Sequence, residues 1–63
     1  MEKDKEAFLE ALKKNYGKLD ERAIGESLGF SKAYTDEIIE ALLSDEKIEY
    51  CTDLVCNYKV KES

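Results

Sequence analysis

Three carboxylates, Asp36, Glu37 and Glu40, stand close together at spacings that one side of a helix would share, and two thiols, Cys51 and Cys56, follow. Paired carboxylates can exchange protons or hold a cation, and a thiol can act as nucleophile or metal ligand. Here each needs a partner that is missing. The chain contains no His, so no imidazole can activate a thiol, and two Cys alone do not close a zinc shell. Asp36 and Glu40 are expected on an open, convex helix of a very small domain, where no cleft can enclose a substrate. We therefore assign no catalytic, cofactor-binding or metal-ligating residue, and the chain reads as non-enzymatic.

Positioning these groups requires a fold, and composition bounds it. Sixty-three residues make one domain, residues 1–63, near the lower limit for folding without metals or disulfides. Apolar residues at 43% suffice for one small core, while 40% charged residues favour solubility. The net charge of −5 repels phosphate backbones and anionic membranes at long range. The opening Met1-Glu2-Lys3-Asp4-Lys5-Glu6 is too charged for a secretory signal, and no apolar run approaches a membrane span. A cytoplasmic protein with no membrane association is the expectation.

In chain order, Phe8, Leu9, Leu12 and Tyr16, flanked by Ala7 and Ala11, predict an apolar stripe on a first helix over about 3–16. Gly17 is placed to cap its end. Asp20 is an N-cap candidate for a second helix over about 20–28, which should bury Ala23, Ile24 and Leu28. Gly25 within it costs about 1 kcal/mol relative to Ala, a cost that close approach of another helix would explain. Gly29 is the turn residue and Ser31 the cap of a third helix over about 32–45. Thr35, Ile39 and Leu42 should centre its buried face, with Ile38 and Leu43 on the flanks. Ala33, Asp36, Glu37, Glu40 and Ser44 should face water, while Tyr34, Ile38 and Ala41 line one side. Two alternating runs, one from Ile48 to Cys51 and one from Cys56 to Lys61, then predict a hairpin over about 48–61.

Strand parity decides the thiols. If Ile48, Tyr50, Tyr58 and Val60 all face the core, Cys56 points inward and Cys51 outward, so the two cannot bond across the ladder. A two-residue turn at Asp53-Leu54 would align them but lacks the Gly or Asn such turns favour. Two free thiols are expected.

Ile24-Gly25-x-x-Leu28-Gly29-Phe30-Ser31-Lys32, the helix carrying Ile39 and Leu42, and Lys47-Ile48-Glu49-Tyr50 with its hairpin resemble the winged helix-turn-helix domains of bacterial and archaeal regulators. The resemblance covers about residues 7–61. Ile24 and Gly25 fall on that family's Leu-Ala pair, and Ser31 on the cap of its recognition helix. It implies an α+β, mostly α fold of three helices with a C-terminal β-hairpin wing. It further implies a transcription regulator whose third helix enters the DNA major groove while the wing touches the backbone. The corresponding recognition face is Lys32, Ala33, Tyr34, Asp36, Glu37 and Glu40, and the wing Thr52, Asp53, Leu54 and Val55. The segment Ala41 to Tyr50 also resembles the matching part of the small D proteins encoded with dissimilatory sulfite reductase, another stand-alone winged helix.

Charge departs from that pattern. Over residues 31–47, Lys32 and Lys47 face Asp36, Glu37, Glu40, Asp45 and Glu46, a net of −3. The segment from Cys51 to Cys56 holds no cation. Phosphate contacts come chiefly from Lys and Arg, so duplex DNA, which the family would bind, is disfavoured by charge. Lys3, Lys5, Lys13, Lys14 and Lys18 leave residues 1–19 at only +1, and Arg22 is the sole arginine. The alternative is a protein–protein interaction module, its acidic face joined by Tyr34, Ile38, Leu54 and Val55 as an apolar group that a basic protein partner would cover. With no room for an added pairing helix, a monomer or weak dimer is expected.

Overall fold

A computed structural model of the chain describes residues 2–15, 18–53 and 55–61. Three helices, α1 (Glu2–Asn15), α2 (Glu21–Ser27) and α3 (Lys32–Ser44), precede an antiparallel hairpin of β1 (Ile48–Tyr50) and β2 (Tyr58–Val60). The fold is α+β and mostly α: a helix-turn-helix followed by a β-hairpin wing. No helix among the described residues is long and apolar enough to cross a membrane.

Helix α1 carries Glu2 and Asp4 in its first turn and Lys13 and Lys14 in its last, each sign matched to the helix dipole. Phe8 and Leu12, one turn apart, enter the core, with Leu9 and Ala11 at its edge. The expected contributions of Tyr16 and of Gly17 as cap lie outside the described residues. Helix α2 begins where expected, the Asp20 carboxylate accepting the Ala23 N–H at 2.8 Å. Of its expected buried residues only Ile24 is fully enclosed; Ala23 and Leu28 are half-buried, and Gly25 is buried instead.

The turn between α2 and α3 closes as a Schellman motif. Phe30 N–H donates to Gly25 O at 2.9 Å and Gly29 N–H to Glu26 O at 2.9 Å, with Gly29 at φ +82°. Ser31 Oγ then accepts the Tyr34 N–H, starting α3. Helix α3 ends in the same geometry: Lys47 N–H donates to Leu42 O at 2.9 Å and Glu46 N–H to Leu43 O at 3.0 Å. Here Glu46 occupies the left-handed position at φ +58°, where a Cβ is strained.

Gly25 explains the crossing of α2 and α3. A Cβ built there would fall 2.8 Å from Thr35 Cγ2 and 3.0 Å from Thr35 Cβ, and closer still to Thr35 Oγ1. The two helices meet backbone against side chain, as the cost of a mid-helix glycine suggested. Thr35 is buried, and its hydroxyl donates to Ser31 O at 2.8 Å. Its polar atom is thus satisfied within its own helix.

The core is Phe8, Leu12, Ile24, Ile38, Ile39, Leu42, Ile48 and Cys56. Two expectations for α3 are corrected. Ile38 is fully buried, whereas Leu43 is 37% exposed. The cause is α1, which packs on the Tyr34 side of α3: Tyr34 O–H donates to Asp4 there, while Leu43, on the far flank, stays open. At the other end of α3, Lys5 bonds Asp45 and Glu2, its side chain only 14% exposed. In the hairpin Ile48 pairs with Val60 and Tyr50 with Tyr58, so all four share one face as expected. Tyr50 nevertheless stays 64% exposed, because that face runs past the end of the core.

Gly25→Ala should lower stability by about 1–3 kcal/mol in urea denaturation, despite the better helix propensity of Ala, because Thr35 must move. Combining it with Thr35→Ala should cost less than the sum of the two single changes. Glu46→Gly should raise stability by about 0.5–1 kcal/mol by the same measurement, since Gly accepts positive φ without strain.

Candidate interaction surface

The outward side of α3 is built by subtraction. Thr35, Ile38, Ile39 and Leu42 are consumed by the core, which leaves Lys32, Ala33, Asp36, Glu37, Glu40 and Ser44 in water. None of Asp36, Glu37 and Glu40 joins an ion pair or side-chain hydrogen bond among the described residues. Their charge is therefore uncompensated locally. Tyr34, expected on this face, is turned toward α1: its hydroxyl bonds Asp4, and its ring meets Phe30 edge-on at 5.1 Å. The Asp4 contact holds the phenol proton, which pushes the Tyr34 hydroxyl above its usual range.

The apolar group expected beside the acids is thinned. Ile38 is inside and Tyr34 is engaged with α1, while Leu54 lies outside the described residues. Val55 remains, 65% exposed in the wing with Thr52 and Asp53. Tyr50, read from the sequence as facing the core, is exposed as well.

The wing is held to the helices by a contact that sequence pattern did not reveal. Glu21, in the first turn of α2, accepts the Asn57 backbone N–H at 3.1 Å and its side-chain N–H at 3.4 Å. The Cys56 thiol lies 3.9 Å from the same carboxylate. A glutamate at the start of a helix signals only a favourable dipole; its partner lies 36 positions on, beyond any local pattern. Cys56 is fully buried and Cys51 half-buried, both free, in the expected parity. Burial pushes the Cys56 thiol above the ordinary range, and Glu21 and Asp20 add to it, partly offset by a backbone hydrogen bond from Tyr58.

Tyr50 and Tyr58 meet edge to face, centroids 6.0 Å apart. Burial first, then the negative charge of Glu21 and, less, of Asp36, pushes the Tyr58 hydroxyl up. Between α2 and α3, Glu21, Arg22, Lys32, Thr35 and Asp36 line a cleft of about 50 Å³, room for a few waters and far below a small-molecule pocket of roughly 300 Å³ or more. Among the described residues no group of three His, Cys, Asp or Glu is arranged to hold a metal ion. On the α1 side Lys3, Lys13, Lys14 and Lys18 are exposed, but they are interspersed with acids and form no stripe.

No family model, no curated protein and no solved structure matches this chain.

In the native protein a thiol reagent should label Cys51 and spare Cys56. Because the folded pKa of Cys56 is raised, its contribution to stability is complete below the ordinary thiol value, about 8.5, and is lost as pH rises through the folded value. Urea midpoints should fall with pH above that point, and Cys56→Ala should make the fall shallower.

Proposed function

We propose that this chain is a non-enzymatic winged helix that serves as a protein–protein interaction module, presenting the acidic side of α3 to a basic protein partner rather than reading duplex DNA. The observation that carries this is the exposure of Asp36, Glu37 and Glu40 with no cation paired to any of them among the described residues. Charge of one sign that the fold leaves unneutralised is complementary to a partner of the other sign, and it raises the rate of encounter. Val55 and Tyr50 supply further exposed apolar surface, on the wing. A cytoplasmic location and a monomeric or weakly dimeric state belong to the same proposal.

A second reading, the nucleic-acid-binding regulator that the fold resemblance implies, draws on one observation. Lys32, at the start of α3, and Arg22 line the same cleft, at the end of a recognition helix that approaches base edges. Two cations are few against the six to ten phosphate contacts, roughly, of a typical duplex binder, and Asp36 and Glu21 share that cleft.

The two readings separate in an NMR titration at low salt. Mixed duplex DNA should leave the spectrum unchanged below millimolar concentration, whereas oligo-lysine should shift the amides of α3 and the wing and release them on addition of salt. The double change Glu37→Lys with Glu40→Lys should abolish the oligo-lysine response and create affinity for DNA. Micromolar, salt-sensitive DNA binding by the wild-type protein would overturn the module reading.

A further inference from the structure

The contacts that hold the molecule together fall into two groups. Within the helical body, α1 is tied to α3 by Tyr34 with Asp4 and by Lys5 with Asp45, and α2 meets α3 at Gly25 and Thr35. Phe8, Leu12, Ile24, Ile38, Ile39 and Leu42, the larger part of the enclosed core, also belong to the helices. The hairpin consists of two strands of three residues, too few to be stable alone. Among the described residues its polar ties to the rest are Glu21 and an exposed pair, Lys61 with Glu46 at 3.5 Å.

We propose that the wing is a strap, latched to the start of α2 by Glu21, that opens as a unit while the three helices stay folded. In the closed state one carboxylate accepts the Asn57 backbone N–H at 3.1 Å and its side-chain N–H at 3.4 Å, with the Cys56 thiol 3.9 Å away. Cys56 and Asn57 immediately precede β2, so releasing this carboxylate frees that strand from α2. Segments with little buried apolar surface and solvent-accessible hydrogen bonds open first, and the wing has both properties: Val55 is 65% and Tyr50 64% exposed, and the bonds to Asn57 face water. Opening uncovers Ile48 and Cys56 and displaces the surface carried by Tyr50 and Val55. The inference concerns the fold's own motion and stands whether or not α3 binds a basic partner.

The buried thiol makes the opening measurable. In the full chain carrying Cys51→Ser, an aromatic disulfide reagent can react with Cys56 only when the wall over it is open. Cys56 should react about tenfold or more faster than global unfolding allows, and with a weaker dependence on urea. In the wild type, the ladder amides of Cys51 and Lys61, bonded to Asn57 O and Lys47 O, should exchange hydrogen faster than the helical amides of Phe8 and Leu12. Glu21→Gln should speed the Cys56 reaction about three- to tenfold, and Asn57→Asp, which sets a second carboxylate against Glu21, should speed it further. Both changes should affect the thiol more than the Phe8 and Leu12 amides. Cys56 reacting only at the rate and urea dependence of global unfolding would overturn the proposal. So would variants that leave the thiol rate unchanged, or that accelerate the thiol and the Phe8 and Leu12 amides equally.

Discussion

The contact between Gly25 and Thr35 sets how closely α2 and α3 approach, and most of the molecule follows from that distance. With a hydrogen at Gly25, the Thr35 side chain sits almost against the backbone of α2. That approach allows a seven-residue helix, too short to be stable alone, to be held by tertiary packing. It also aligns the Schellman turn, whose Phe30 N–H returns to the carbonyl of the same glycine. Gly25 therefore acts twice, once by what its side chain leaves vacant and once by its carbonyl.

A domain of this size buries little, so ties at its edges matter. Among the described residues the core supplies eight enclosed side chains, of which Ile48 and Cys56 come from the region of the hairpin. Two strands of three residues are weak by themselves. Glu21 compensates by receiving the Asn57 backbone and side-chain N–H groups, fastening the wing to the start of α2. At the opposite side, α1 is joined to both ends of α3, through Asp4 with Tyr34 and through Lys5 with Asp45. These bonds order the helices; being solvent-accessible in part, they specify geometry more than they add stability.

The same ties shape the electrostatics. Lys5 and Lys61 are occupied by carboxylates, and the Lys5 ammonium is held in its charged form by the hydrogen bonds it donates to Asp45 and Glu2. Cations thus neutralise acids at helix ends and at the base of the wing, while the outward side of α3 keeps its charge uncompensated. That outward side is a surface that a polyanion would avoid, and the proposed partner chemistry rests on it.

Local signals in the sequence were enough for the elements and their ends. Asp20 and Ser31 are caps because their side chains reach N–H groups three residues away, and Gly29 must turn because it alone tolerates positive φ cheaply. Period alone placed Asp36, Glu37 and Glu40 in water, and parity alone placed Cys56 inside and kept it from Cys51. What depended on distant partners could not be read. Ile38 and Leu43 are equivalent flanks of one helix until α1 covers one side and leaves the other. Tyr50 shares the face of Ile48, but its exposure depends on where the core ends. Glu46 in a left-handed cap, Tyr34 turned to Asp4, and Glu21 fastening the wing carry no local signature. Backbone propensity acts over three or four residues, whereas these contacts are chosen by whichever element the fold brings alongside.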